Sequence, residues 1–185
     1  MRLWKVLDAN GRACHGGTFD YTPYLPKWSP TNGWVPGKWT PRIENPVACQ
    51  FGYHACRDQD LVRWLNARIW ACEGRGIVVA DNKVVCESIR LIAPTPWDDV
   101  AARLFAVECA ADVLPLFESA MPGDSRVADC LEVATRYALG DATDDELVAA
   151  RAAAWAAAGA AAWAAAWAAQ TERLLWWLGA EWEGR

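Results

Sequence analysis

The ten residues Lys83-Val84-Val85-Cys86-Glu87-Ser88-Ile89-Arg90-Leu91-Ile92 decide the fold class of this chain. β-branched residues favour an extended backbone, and side chains along a strand alternate with a period of two. The run therefore predicts a strand with two faces, one carrying Val84, Cys86, Ser88 and Arg90 and the other Val85, Glu87, Ile89 and Leu91.

Other β-like runs lie upstream of this stretch. Residues 69–72 and 77–80 are largely apolar and flank the turn-forming Gly74-Arg75-Gly76. Residues 3–7 and 12–15 flank an Asn-Gly pair, which suits a tight hairpin. We expect all of these runs to form strands of one small β-rich domain.

The pattern changes after Pro94 and Pro96, which close the β-rich region. From Trp97 onward, apolar residues recur with a helical period. The chain therefore predicts an α+β protein, with a β-rich domain at residues 1–95 and a helical region at residues 96–185.

The helical region is expected to begin with two helices. The first starts near Asp98, and Pro115 is expected to kink it or to end it near residue 112, because proline removes a backbone donor and clashes with the preceding turn. The second lies between Ser125 and Gly140, since a glycine suits a left-handed position after the last turn.

A third helix is predicted from Thr143, which with Glu146 has the spacing of a capping box. Its apolar face carries Val148, Trp155, Trp163, Trp167, Leu174, Trp177 and Leu178. Residues 152–169 are mostly alanine and carry no charge, so a membrane span is one alternative. Alanine is only weakly apolar, however, and the tryptophans lie within the stretch instead of at interfacial ends. We therefore predict no membrane and a helix that packs in cis or forms a homo-oligomer.

The charge of the chain is uneven. Residues 1–93 carry 12 Lys and Arg against 8 Asp and Glu, a balance of +4, whereas residues 94–185 carry 6 against 15, a balance of −9. The first balance is too small to demand duplex nucleic acid, but it favours a small anionic ligand. The seven cysteines are an odd number and the N-terminus lacks the apolar run of a secretory signal, so we expect a cytoplasmic protein with reduced thiols.

Both histidines of the chain lie beside cysteine and glycine, in Cys14-His15-Gly16-Gly17 and in Cys49-Gln50-Phe51-Gly52-Tyr53-His54-Ala55-Cys56. Soft donors of this kind hold zinc, so one alternative is a tetrahedral site of Cys14, Cys49, His54 and Cys56. The spacing is not that of a paired zinc knuckle. It favours the other alternative, in which the thiols are small buried side chains and no metal is bound.

The same two segments suggest a nucleotide site, because glycine beside histidine lets a phosphate approach the backbone. The predicted ligand-binding residues are His15, Gly16, Gly17, Gly52, Tyr53 and His54. The order of the segments resembles that in ADP-ribosyltransferase and tRNA 2′-phosphotransferase folds, in which strands of similar pattern bind NAD. This resemblance implies an NAD-like ligand and makes Glu87 the candidate catalytic residue, while Gly17 stands where those families have Thr or Ser.

A wider resemblance rests on Cys14–Gly17, Gly37–Pro41, Asn45–Cys56 and the alanine- and tryptophan-rich tail at residues 151–173. These segments are similar to those of uncharacterised proteins of phages, prophages and their bacterial hosts, whose tails resemble those of immunity proteins. The resemblance implies an accessory or counter-defence role in the host cytosol.

Lys27-Trp28, Trp34 and Lys38-Trp39 place cations beside rings in a proline-rich segment. Rings and cations in this pattern can stack with single-stranded nucleic acid. The alternative, which we favour from the sequence, is that the rings pack over the sheet and complete a thin core.

Two functional hypotheses follow from the sequence. In the first, the domain at residues 1–95 binds a nucleotide-like and NAD-derived small molecule, with or without ADP-ribosyltransferase catalysis. In the second, the protein is a non-enzymatic structural or interaction factor that binds a host protein, and its Cys/His clusters are packed or stapled by zinc.

Overall fold

Contacts divide the chain into two units, Met1–Asp99 and a second that begins at Val100. They are seen in a computed structural model, which describes residues 1–159. The first unit holds small antiparallel sheets and the second holds helices, so the predicted α+β class is confirmed.

The strands of the first unit are short. They are β1 (Leu3–Leu7), β2 (Lys27–Ser29), β3 (Gly33–Val35), β4 (Tyr53–Ala55), β5 (Arg68–Arg75), β6 (Val78–Val79), β7 (Val84–Cys86) and β8 (Ser88–Pro94). Two 3-10 helices, Thr22–Tyr24 and Asp58–Trp64, connect them. The second of these lies where the acidic Asp58-Gln59-Asp60 suggests the start of a helix.

The strand pairings form a closed circuit. β1 pairs with β5, β5 with β8, and β7 with β4, all antiparallel. Trp4 and Cys56 exchange two backbone hydrogen bonds of 2.9 and 2.8 Å, which join the end of β4 back to β1. Because β7 and β8 are consecutive parts of one stretch of chain, these five strands form a ring, which we call the strand ring.

The strand predicted at residues 83–92 is in fact two strands, separated at Glu87. The side chains that face the interior are Val84 and Cys86 before the break and Ile89 and Leu91 after it. The backbone N–H of Glu87 donates to the Arg75 carbonyl at 2.9 Å, and the alternation shifts there by one residue. The predicted division into two faces is therefore wrong beyond Glu87. It assumed a regular alternation along the whole run, and the break shifts that alternation by one residue.

The strand ring encloses the main core. Its buried members are Leu3, Leu7, Tyr21, Tyr53, Ala55, Cys72, Val84, Cys86, Ile89 and Leu91. A smaller cluster of Val6, Cys56 and Ile69 lies on the other face of β1 and β5, where Trp4, Cys14, Trp64 and Trp97 pack against it. Side chains on both faces of β1 are thus covered, as the near-continuous burial of the strand indicates.

Two local predictions in this unit are wrong. The turn at Asp8–Gly11 forms, but residues 12–15 make only isolated bridges, and β1 takes β5 as its partner. β5 continues through Gly74 instead of turning there. A side chain at Gly74 would lie 2.6 Å from Cys86 Sγ, so this position needs glycine for close packing inside a strand.

The long proline-rich segment after residue 18 is more ordered than its composition predicts. It contains the β2–β3 hairpin, and residues 37–43 then run beside β8. The N–H groups of Gly37, Thr40 and Ile43 donate to carbonyls of Leu91, Ile89 and Glu87 at 2.8–3.0 Å. The segment therefore covers the free edge of β8 while its prolines keep it from forming a regular strand.

The second unit begins with α1 (Asp99–Ala120) and α2 (Arg126–Leu139), and residues 144–159 form α3. Pro115 lies inside α1, so the helix does not end near residue 112, which was one of the two predicted alternatives. Ala111, whose carbonyl loses its helical donor, is exposed, and water can take the place of the missing N–H.

The predicted ends of α2 and the predicted start of α3 are confirmed. Gly140 follows α2 with a φ of 88°, in the left-handed region. Thr143 and Glu146 form the predicted capping box, in which the Thr143 N–H donates to the Glu146 carboxylate at 2.8 Å and the Glu146 N–H donates to Thr143 Oγ1 at 3.2 Å. The tryptophans at positions 163, 167 and 177 lie outside the described residues. Within residues 1–159, no helix has the length and apolarity that a membrane crossing requires.

Candidate functional site

His15 lies in an exposed loop on the surface of the first unit. Its backbone φ is 59°, and that of Gly16 is 88°, so the loop turns sharply through two left-handed residues. His15 Nε2 donates to the carbonyl of Trp64 at 2.9 Å, and the two rings meet edge to face with centroids 5.4 Å apart. A side chain added at Gly16 would meet nothing within 4 Å, so the backbone there is open to a ligand.

His54 is held differently. It lies in the middle of β4, and its Nε2 accepts a hydrogen bond of 2.9 Å from the backbone N–H of Cys49. Burial lowers the pKa of His54, and the charges of Lys5 and Lys83 lower it further. The ring is therefore neutral at pH 7, and its accepting nitrogen is already used to hold the 45–51 loop.

Tyr53 and Gly52 do not line an open pocket. Tyr53 is 4% exposed, and its ring packs inside the strand ring with its centroid 5.1 Å from that of Phe19. Gly52 has a φ of 128°, and a side chain there would lie 2.4 Å from Val85 Cγ2. Of the six predicted ligand-binding residues, His15, Gly16 and Gly17 are exposed. The other three, Gly52, Tyr53 and His54, are partly or fully buried and contact neighbouring protein atoms.

The four candidate zinc ligands do not form a metal site. Cys14 Sγ contacts the Val6 carbonyl at 3.6 Å, Cys49 is exposed, and Cys56 is buried, where burial raises its pKa to about 11. Residues 1–159 include every cysteine and histidine of the chain, and in that range no three His, Cys, Asp or Glu side chains are grouped to hold a metal ion. The geometry therefore does not fit zinc.

Trp64 is the neighbour of the His15 ring, and Lys83 in turn lies over Trp64. The Trp64 indole N–H donates to the Asn82 carbonyl at 2.8 Å, which fixes the ring. Lys83 Nζ lies 4.1 Å from the centroid of that ring. We call the group of His15, Gly16, Gly17, Trp64 and Lys83 the His15 corner. It joins an open, glycine-containing backbone turn to an ammonium group and an aromatic side chain.

Glu87 lies elsewhere on the first unit. Its carboxylate accepts a 2.9 Å hydrogen bond from Arg42 Nε, so it forms an ion pair. It borders an open depression of about 500 Å³ whose other lining residues are Asn45, Pro46, Val47, Gly76, Ile77 and Val78. Neither histidine belongs to this lining. The candidate acid and the His15 corner are therefore separate features.

Lys5 is the unexpected polar group of the unit. It is 7% exposed and alternates along β1 with the core residues Leu3 and Leu7. Its ammonium donates to the His54 carbonyl at 2.8 Å and lies 4.6 Å from the centroid of the Tyr21 ring. None of the ion pairs among residues 1–159 includes Lys5.

The surroundings of Lys5 are thiols and a phenol. Burial lowers the pKa of Lys5, against small opposing effects of Cys72, Cys14, Cys56 and Cys86. Burial also raises the pKa of Cys86 to about 11 and that of Cys72 further. Burial therefore acts against the charged form of the amine and of the thiols alike.

Sequence reasoning missed Lys5, Trp64 and Lys83 as site residues. The alternation of Leu3, Lys5 and Leu7 is a visible signal, because it places a lysine on the same face as two apolar residues. Trp64 and Lys83 are 19 positions apart and carry no motif. Only the fold brings them to the His15 loop.

Comparison of the chain with protein-family models, with curated proteins and with solved structures gave no match. Function is therefore inferred from the residues and their geometry.

Replacement of Lys5 by methionine tests the buried amine. Because the fold lowers the pKa of Lys5, the unfolded chain binds more protons between that lowered pKa and the ordinary value of about 10, so the contribution of Lys5 to the free energy of unfolding becomes more favourable as the pH rises through that window. We expect the stability advantage of Lys5→Met over the wild type to be largest at low pH and to shrink with rising pH, by up to about 1.4 kcal/mol per pH unit. Urea unfolding over a pH series measures the difference.

The matched control is Lys27→Met, which removes an exposed lysine. Its difference from the wild type should not change with pH. Titrating thiols are common to all three proteins and cancel in the comparison. If Lys5→Met behaved like Lys27→Met, the fold would not lower the pKa of Lys5.

Proposed function

We propose that the first unit binds a small, phosphate-bearing ligand of the nucleotide type at the His15 corner, and that the protein is an accessory or counter-defence factor of phage type. The observation that carries the ligand proposal is that Trp64 contacts both the ammonium of Lys83 and the ring of His15, which lies in an open turn with Gly16. The accessory role is what the resemblance to phage and prophage proteins implies.

Three features of the His15 corner support a phosphate ligand. Left-handed backbone at His15 and Gly16 turns the chain sharply, the Gly17 N–H donates to the Cys14 carbonyl at 3.3 Å, and the backbone of Gly16 is left open to an anion. Lys83 supplies a positive charge, and it makes no ion pair among residues 1–159. Trp64 offers apolar ring surface beside that charge, which suits the base or ribose of a nucleotide.

NAD and ADP-ribose are the ligands of this class that the ADP-ribosyltransferase resemblance implies. Catalysis by Glu87 is the alternative to binding alone, and the depression beside Glu87 supports it. The pairing of Glu87 with Arg42 weighs against it, because a catalytic carboxylate in that role has to be free to meet the substrate. We therefore favour binding without turnover.

Calorimetric titration of the full chain with ADP-ribose and NAD tests the proposal. We expect a bound stoichiometry of one, and a loss of affinity of about tenfold or more in Lys83→Gln, since a hydrogen bond to a charged group contributes about 1.5–3 kcal/mol. His15→Ala should weaken binding as well. Arg151→Gln removes an exposed cation from α3 and should leave the affinity unchanged.

Two outcomes of the titration would count against the proposal. Absence of heat with both ligands removes the nucleotide site, and binding that survives Lys83→Gln and His15→Ala places it elsewhere. Release of nicotinamide from NAD that stops in Glu87→Gln would instead establish the ADP-ribosyltransferase alternative.

The second candidate function is protein interaction, including self-association through the C-terminal helix. Within α3, Val148 and Trp155 lie seven residues apart on one face, and they are 65% and 79% exposed. Large apolar side chains left exposed on one helix face are typical of an interface. The packed Cys/His clusters of the first unit are compatible with such a non-enzymatic role.

We expect the full chain to show a mass that rises with concentration in sedimentation equilibrium. Trp155→Ala should raise the dissociation constant of self-association by about fivefold or more, because central aromatic residues contribute over 1 kcal/mol at interfaces. Leu116→Ala, which removes an exposed leucine from α1, is the control. A monomer at every concentration would contradict this proposal.

A further inference from the structure

The β2–β3 hairpin displays two tryptophans side by side. Trp28 and Trp34 are directly paired across the strands, with ring centroids 5.5 Å apart and planes at 69°. Trp28 is 63% exposed and Trp34 is 40% exposed. The interpretation that we favoured from the sequence, in which these rings complete the core, is therefore wrong for both of them.

The hairpin is a fixed structure and not a loose loop. Gly33 has a φ of 67°, in the left-handed region that glycine adopts most readily, so it suits the turn that leads into β3. After Trp34, the chain is bonded directly to β8 through the Gly37 N–H, which donates to the Leu91 carbonyl at 2.9 Å. The two exposed rings are therefore held in place before any ligand arrives.

Trp39 lies a few residues further along and contacts two guanidinium groups. Arg75 Cζ is 3.8 Å from the centroid of the Trp39 ring, and Arg90 Cζ is 5.1 Å away. Arg90 is paired with Glu73 at 2.7 Å. Arg75 has no such partner among residues 1–159, so it is oriented by the ring while its charge stays available.

The charge of this segment has one sign. Residues 21–43 contain Lys27, Lys38 and Arg42 and no Asp or Glu. Arg42 is neutralised by Glu87, whereas Lys27 and Lys38 are exposed and make no ion pair among residues 1–159. The surface of this segment therefore carries exposed rings and two exposed cations, Lys27 and Lys38, and its Trp39 contacts a third, Arg75, in a protein whose net charge is −5.

We propose that this surface binds single-stranded nucleic acid. The binding residues, which we call the tryptophan platform, are Lys27, Trp28, Trp34, Lys38, Trp39 and Arg75. Bases stack on exposed tryptophan rings, and neighbouring cations hold the phosphates between them. The platform shares no residue with the His15 corner, and its proposal does not depend on the function proposed there.

The chemistry of the platform selects among polyanions. In a duplex the bases are stacked on each other and their faces are hidden, so the two indole rings have nothing to stack on. A strand with unpaired bases satisfies both the rings and the cations. Three cations also suit a few phosphates and not the long backbone of a duplex.

Fluorescence anisotropy with a labelled oligothymidylate of about twelve nucleotides tests the proposal on the full chain. We expect saturable binding that weakens with salt, and weaker binding of a duplex of the same length. The double variant Trp28→Ala/Trp34→Ala should raise the dissociation constant by roughly tenfold to a hundredfold, as loss of two stacked bases implies. Both rings are exposed, so the variant should keep the thermal unfolding midpoint of the wild type.

A charge variant provides the second readout. Lys27→Gln/Lys38→Gln should weaken binding and reduce the slope of log affinity against log salt by about 0.7 for each phosphate that the variant no longer neutralises. Phe51→Ala, which removes a ring that is 56% exposed, and Arg12→Gln, which removes an exposed cation, are the matched controls and should bind like the wild type.

Three results would overturn the proposal. The first is no binding of the oligonucleotide at low salt. The second is equal affinity for the duplex. The third is binding that is unchanged in both platform variants, or that is abolished by Lys83→Gln instead, which would move the nucleic acid to the His15 corner.

Discussion

The pair of backbone hydrogen bonds between Trp4 and Cys56 is the interaction on which the rest of the first unit depends. It joins the end of β4 to β1 and so closes the strand ring. Closure requires the chain from Val84 to Pro94 to pair with β4 through β7 and with β5 through β8. The break at Glu87 makes these two pairings possible. With the ring closed, side chains that alternate inward have no access to solvent, and Lys5 is enclosed with thiols and Tyr21.

This constraint decides where function can reside. Tyr53, Cys72 and Cys86 lie inside the strand ring, and His54 is held under the 45–51 loop by the Cys49 N–H. Tyr53 and His54, which the sequence suggests as ligand-binding residues, therefore stabilise the fold instead. The groups left for ligands lie outside, where the strand edges are covered by loops that carry cations and rings. The His15 corner and the tryptophan platform are both of this kind.

The sequence predicts the fold class and several local features because those depend on neighbouring residues. The change of period after Pro94, the capping box of Thr143 and the left-handed Gly140 are examples. It does not predict the break at Glu87, since a break preserves the composition of a strand and alters only its phase. The sequence suggests a ligand pocket at Tyr53 and His54, because the same pattern of glycine beside histidine occurs both in ligand sites and in tightly packed strands. The contact of Lys83 with Trp64 depends on tertiary structure that no local pattern encodes.

Hydrogen exchange of individual backbone amides, followed by NMR, tests closure of the strand ring most directly. A closed ring predicts that the N–H groups of Trp4 and Cys56 exchange only through global unfolding, as slowly as the amides in the β5–β8 ladder. Rapid exchange at Trp4 and Cys56, with the β5–β8 amides still protected, would mean that the ring is open. In that case Lys5 and the thiols would be accessible, and the interior would have to be reconsidered as a binding site.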